Sequence, residues 1–406
     1  MGAYPQYAPE YALRIDDAPI PAALRGCIAS LTYEDGIDGA DRVEITIANP
    51  SLVWLDHPLL AVDQPLSLAI GYAGEALEEV FTGEITGVAP SFPSGGMPMI
   101  TVTAHDFLQR LTHGTKDRGF RVSIPSIGNF PLPDPLVAAI VSGTNALIPD
   151  IDPIGGALST LVSLATFLSF PQFAQKSVRL QTSESDFDFL KRVSRENGWE
   201  IFIDHSAEPK GRVLRFQFLL QDYSASVELD WGSSLIEFTP RLTTVGDIFG
   251  VSARVWVDSI GVEFVIIVSW DYDRASLDVQ IYPNLVGQID DLIGPANAKK
   301  TLTVKPTGYA TAPRKILGEL LPRLNGRQTG RGSAIGDPRI KSAKVCRLGN
   351  LGGQFGGLYR ITSASHTFDS SGYRTSFEAR KEVWFGSVPL PFSAPNYRPL
   401  TGQFAR

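Results

Sequence analysis

Residues 183–204 read SESDFDFLKRVSRENGWEIFID. The stretch holds three acids in five positions, Glu184, Asp186 and Asp188, and two readings compete for them. Paired carboxylates could form a glycosidase-like acid/base pair or a hard-cation site. The order of residue types favours a helix. Ser183 or Ser185 can cap its start, and acids in the first turn meet the positive end of the helix dipole. Phe189, Leu190 and Val193 then fall on one apolar face, and Lys191, Arg192 and Arg195 lie toward the C-terminal half. Gly198 suits the left-handed residue that ends a helix, and WEIFID alternates as a strand. Every residue type has a place without catalysis.

Upstream, YALRID, CIASLTY, RVEITIA, LSLAIGY, VFTGEITGV and MITVTA are short, β-branched or aromatic runs bounded by Gly, Pro, Asn or Asp. In RVEITIA, Val43, Ile45 and Ile47 share one face, the period of a half-buried strand. Many strands at this spacing predict a small antiparallel barrel or sandwich. AHDFLQRL (104–111) reads as a closing helix, with Phe107, Leu108 and Leu111 turned to the core. Downstream of the opening stretch, RVLRFQFLL, SVELDW, LIEFTPRL, GVSARVWV and VEFVIIVSW resume the strand pattern. APRKILGELLPRL (312–324) has helical spacing, with Pro322 expected to kink or shorten it, and 331–385 returns to strands.

Between the strand-rich regions, Asp134 and Pro135 are expected as N-cap and first residue of a helix over PLVAAIVSGTNAL. GGALSTLVSLATFLSFPQFAQ follows, with no charge between Asp152 and Lys176. Its serines and threonines, trimmed by Gly155, Gly156 and Pro171, favour a buried or partner-covered helix over a membrane span of about 20 apolar residues. The tail 386–406 is Pro-rich and reads as an extended arm.

Composition narrows the function classes. The 406 residues carry a net charge of −7, which argues against gripping nucleic acid through a basic face. Cys27 and Cys346 are the only cysteines, too few for a disulfide framework, and the five histidines show no metal-binding spacing. The N-terminus shows no secretory signal, so cytoplasmic synthesis is expected. His366 lies near Asp369 and several serines, yet no GxSxG elbow accompanies it, and a structural hydrogen bond is expected of it. GNLGGQFGG (349–357) lacks the ending of a phosphate loop and reads as a tight turn. Arg327, Arg331, Arg339, Lys341 and Lys344 make a basic patch, read as a solvated face or a subunit contact.

Four stretches, in order, resemble the phage late control protein D and VgrG N-terminal family. YAGEALEEVFTGEITGV with ITVTAHDFLQRL is similar to its first-barrel strand and the helix pattern xDxLxxL. SVRLQTSESDFDFLKRVSRENGWEIFID is similar to its ESDxxFLxRLxxxxG helix and strand. VELDWGSSLIEFTPRL looks like the entry to the second barrel, and GGLYRITSASHTFDSSGYRTSFEARK like the closing strands.

The resemblance implies a mainly β (α+β) chain. It implies two tube-like antiparallel β-barrels, expected at 1–113 and 233–385, around an α/β insert expected at 114–232 and carrying the apolar insertion 154–174. It implies a non-enzymatic baseplate hub of a contractile injection system: a homotrimer matching a hexameric inner tube by pseudo-sixfold symmetry. Baseplate components and a separate spike protein are its other expected partners, with the arm 386–406 reaching the spike, and it is expected in a phage tail or tail-like particle. No cofactor, metal, catalytic residue, nucleic acid or stable membrane span is expected. Fold-defining motif positions are Gly83, Asp186, Phe189, Leu190, Gly198, Trp231, Pro240, Gly357, Tyr359, Gly372 and Tyr373. The competing expectations are a tail-associated cell-wall hydrolase or carbohydrate-binding protein, and, on 154–174 alone, a membrane-inserting toxin.

Overall fold

The strand-rich N-terminal residues fold as seven strands: β1 (Pro9–Ile15), β2 (Ala18–Pro19), β3 (Ile28–Gly36), β4 (Arg42–Ala48), β5 (Pro65–Tyr72), β6 (Glu78–Ser91) and β7 (Met99–Asp106). The computed structural model describes residues 8–37, 39–124, 128–153, 155–157, 159–160, 178–218, 224–243, 250–257, 262–271, 276–283, 301–304 and 312–382. Alternation sets the inner face: Val43, Ile45 and Ile47 of β4 are buried with Leu31, Tyr33, Leu68, Phe81 and Val102 in one core. The chain then tightens into a 3-10 turn at Phe107–Thr112, with Phe107, Leu108 and Leu111 buried. The helix expected from 104 begins later because strand pairing claims its start, Ala104 to Val43, His105 to Arg42 and Asp106 to Gly83. Asp106 caps the turn by accepting the Leu108 N–H at 3.0 Å.

The middle region comprises β8 (Lys116–Ile124), β9 (Gly128–Pro131), α1 (Asp134–Thr144), β10 (Ile148–Ile151), β11 (Arg179–Glu184), α2 (Asp186–Asn197), β12 (Trp199–Ile203) and β13 (Val213–Phe218). Strands β10, β13 and β12 form a small mixed sheet, and β11, β8 and β9 a second. Val137 and Val141 of α1 pack with Phe189, Leu190 and Val193 of α2 and with Ile201 and Phe216. Helix α1 begins at Asp134, but Pro133 occupies the cap position and no side chain caps it. The expected cap is engaged elsewhere, since Arg179 holds both Asp134 oxygens at 2.8 and 2.9 Å. No described helix is long and apolar enough to cross a membrane. Of the apolar segment 154–174 only 155–157 and 159–160 are described, and the arm 386–406 lies outside the described residues.

The last region holds β14 (Val227–Asp230), β15 (Leu235–Leu242), β16 (Gly250–Val257), β17 (Val262–Asp271), β18 (Ser276–Pro283), β19 (Thr301–Val304), α3 (Ala312–Asn325), β20 (Gln328–Ile335), β21 (Val345–Gly349), β22 (Gly357–Asp369) and β23 (Gly372–Arg380). Strands β16 to β19 make a separate four-stranded sheet. Helix α3 buries Ile316, Leu320 and Leu324 and runs past Pro322 to Asn325, so the proline does not end it. At Gly318 an added Cβ would lie 3.0 Å from the Arg195 carbonyl oxygen, which is how closely α3 approaches α2.

Thirteen strands from both ends of the chain form one antiparallel-dominated sheet, whose path runs β15-β20-β23-β22-β3-β4-β7-β6-β5-β1-β2 with β21 and β14 alongside. The junction is β22 against β3, where Thr367 pairs Thr32 and Ser365 pairs Glu34. The fold is mainly β as expected. In place of two separately closed barrels, the described residues form one open path. The reason is local: β3 and β22 pair with each other, and β15 and β2 are left as the two ends.

Candidate functional site

The acids of the opening stretch do not converge. Glu184 pairs with Arg192, and Asp188 accepts from the Ser185 hydroxyl at 2.7 Å. Ser185, not Ser183, caps α2, its Oγ accepting the Asp188 N–H at 3.0 Å, and Gly198 closes the helix at φ 68°. Asp186 is turned inward and receives Lys116, Arg118, Gln181 and Asn145. Burial alone would raise its pKa, but these donors outweigh it and hold the carboxyl below its ordinary range. The result is an anchor tying α2 to β8, with no acid/base pair.

The other motif positions are spread over the fold. Phe189 and Leu190 sit in the middle core. At Gly83 a Cβ would fall 2.1 Å from the His105 carbonyl oxygen, so the β6–β7 approach admits no side chain. Gly357 and Gly372 have φ of 112° and 111°, at the starts of β22 and β23. The buried Tyr359 hydroxyl donates to the Phe355 carbonyl at 2.7 Å and accepts from Gln328 at 2.8 Å. Tyr373 stacks on Phe368 with centroids 4.1 Å apart. Pro240 lies on the end strand β15 opposite Gly330, where a missing N–H is tolerated. Trp231 is exposed. His366 bonds the Ile340 carbonyl at 2.9 Å and the Tyr373 hydroxyl at 2.8 Å, whereas Asp369 bonds Ser371. Burial lowers the His366 pKa to about 4, so the ring is neutral.

A cluster that motif reading did not single out lies where the three regions meet. Asp35 accepts the Ser342 and Ala364 N–H groups, each at 2.9 Å. Asp41 accepts the Gly36 N–H at 3.1 Å and lies 3.1 Å from His205 Nε2, and Asp106 Oδ2 lies 3.9 Å from the same nitrogen. All four side chains are buried. Burial is the main cause that pushes Asp35 and Asp41 up to about 7 and Asp106 up to about 8, and the Asp41 charge adds to it at Asp35 and Asp106. Burial likewise lowers His205, so its ring is neutral at pH 7. A second joint links the middle and last regions: Arg380 of β23 pairs with Glu200 of β12 and with Glu382, which also binds the fully buried Arg360 at 2.8 Å.

Asp41, Asp106 and His205 have the spacing of a three-ligand metal site. The donor set does not fit one. His205 Nδ1 accepts the Thr82 N–H at 3.2 Å, so the ring proton resides on Nε2 and faces Asp41. A metal at Nε2 would need that proton moved to Nδ1, where the Thr82 N–H already points. The cluster's members lie as far as 164 positions apart, and no local spacing could reveal them. Two signals were present in retrospect: Asp106 is the acid of the xDxLxxL pattern, and Lys341, which pairs with Glu78 beside the cluster, belongs to the basic patch. In the structure that patch is partly neutralised, with Arg339 on Asp337 and Arg331 on Glu378.

No protein-family model matches the sequence, and no curated protein matches it. Solved structures do match the fold. The 43 kDa tail protein of prophage MuSo2 from Shewanella oneidensis is 11% identical, with a TM-score of 0.59 over 92% of this chain and 98% of that one. The tail protein from Neisseria meningitidis is 10% identical, with a TM-score of 0.57 over 93% and 98%. An Escherichia coli component of the type VI secretion system, itself described as structurally similar to the T4 bacteriophage tail proteins gp27 and gp5, is 12% identical, with a TM-score of 0.54 over 94% of this chain and 80% of that one. The chain thus has the fold of phage tail proteins and of a type VI secretion component. At such identities the likeness is one of fold.

Proposed function

We propose that this chain is a structural hub of a contractile injection system, a homotrimer that joins a central spike protein to a hexameric inner tube. The observation that carries the reading is the end-to-end likeness in fold to phage tail and type VI components, over more than nine-tenths of the chain. The strand arrangement supports it. Two strand sets share one sheet, and a chain offering two similar sets lets three copies face six subunits. End strand β15 exposes Ile236 and Leu242, apolar surface suited to cover by a neighbouring copy. A non-enzymatic role accords with acids that are spent on anchoring α2 and on the joint between regions. The fold-defining motif positions act in this reading as shape-setters.

The test is reconstitution with the tube protein of the same particle. Purified hub is expected to bind it and to seed tube growth. A chain that ignores the tube protein and instead releases fragments from peptidoglycan would overturn the reading in favour of a hydrolase.

A further inference from the structure

Strands β15, β20 and β23 meet the end of α3 at a groove of about 600 Å³. Strand register sets its floor. Thr239 of β15 pairs Arg331 of β20, and Arg241 pairs Thr329. The two arginines are therefore diagonal neighbours on one face, with Cβ atoms about 7 Å apart. On β23, Glu378 and Arg380 continue the two rows. These charges differ in how far they are committed. Arg380 is engaged by Glu200 and Glu382. Arg331 pairs with Glu378 at 2.7 Å, but the two side chains are 83% and 50% exposed, so water screens the pair and leaves it open to exchange. Arg241 is exposed and has no ion-pair partner among the described residues.

The facing wall has the opposite character. The last turn of α3 ends at Asn325, and the final carbonyls of a helix have no partner within it and lie at the negative end of its dipole. Asn325 itself lines the groove, is 2% exposed, and has neither amide atom hydrogen-bonded. A buried amide with a free donor and a free acceptor matches one group that offers both. A bare anion such as phosphate would suit the arginines but be repelled by Glu378 and by the helix end. A nucleic-acid backbone meets the same objection, in a chain of net charge −7. An extended peptide satisfies both walls. Its N–H groups meet the carbonyls, a peptide unit pairs the Asn325 amide, and an acidic side chain reaches Arg241 and Arg331. Residues 383–406 of this chain hold no Asp or Glu, so its own C-terminal stretch does not supply that side chain.

We propose that this groove docks an extended acidic segment of another protein. Arg241 and Arg331 hold its carboxylates, and Asn325 with the end of α3 holds its backbone. This inference does not rest on the hub reading, since it uses only the groove's own residues.

Fluorescence anisotropy of the full chain with a labelled octapeptide of alternating Glu and Ser tests it. The chain is expected to bind this peptide about tenfold or more tighter than its Gln–Ser counterpart. Arg241→Glu is expected to weaken the Glu–Ser peptide by about tenfold and the Gln–Ser peptide little. Asn325→Ala is expected to weaken both alike, because the backbone contact is indifferent to side chain. Arg241 is exposed, so its variant keeps the test available if Asn325→Ala does not fold. Arg374→Glu, on β23 outside the groove, is expected to change neither. Equal binding of the two peptides, Glu–Ser binding unchanged in Arg241→Glu, or displacement by inorganic phosphate alone would overturn the proposal. So would loss of self-association in Arg241→Glu without peptide, which would give the groove to a second copy of this chain.

Discussion

At Asp186 a single carboxylate gathers Lys116, Arg118, Gln181 and Asn145, which lie as far as 70 positions away. Removing one member of a buried charged network leaves the rest unmatched. Asp186→Ala is expected to destabilise the chain by about 3 kcal/mol in chemical denaturation, toward the low end for a buried pair because Lys116 and Arg118 stay in reach of water. This residue also marks how far sequence reading extends. Gly198 was legible because a left-handed helix end is a local event, read from one glycine after a helical pattern. The burial of Asp186 was not, since its cations arrive from β8. The same holds for Asp41, Asp106 and His205, which only the tertiary fold brings together. Nor was the engagement of Asp134 by Arg179, which displaced the expected cap of α1.

Helix α2 shows what an element-scale pattern does and does not specify. Its apolar face, cap type and stop were all readable, but Ser183 and Ser185 both fitted the cap. Geometry separates them: Ser185 Oγ accepts from the Asp188 N–H, while Ser183 has φ 50° at the irregularity near the end of β11 and its N–H donates to Asp117. Ser185→Ala is expected to cost about 1 kcal/mol of stability and Ser183→Ala almost none, measured side by side in urea. Strand alternation was equally legible at β4, where the predicted inner residues are the buried ones. Element ends were harder. Pairing with β4 and β6 extended β7 into the expected helix, a competition that no window of sequence contains.

For the whole molecule, the mainly β class followed from strand periodicity, while the single sheet did not. The family resemblance implied two tube-like barrels, whereas among the described residues the β3–β22 pairing joins the two strand sets into one open path with β15 and β2 at its ends. Strand β15, at an end of the sheet among the described residues and exposing Ile236 and Leu242, presents a surface that a protein in isolation is expected to cover or blunt. Pro240 on β15 is one such blunting feature, and assembly into a ring would bury the rest. The hub account thus stands on three copies closing around one axis. Native mass spectrometry of the purified full chain tests that most directly. The account predicts a dominant species at three times the chain mass, and a chain that stays monomeric alone and with its spike and tube partners would contradict it.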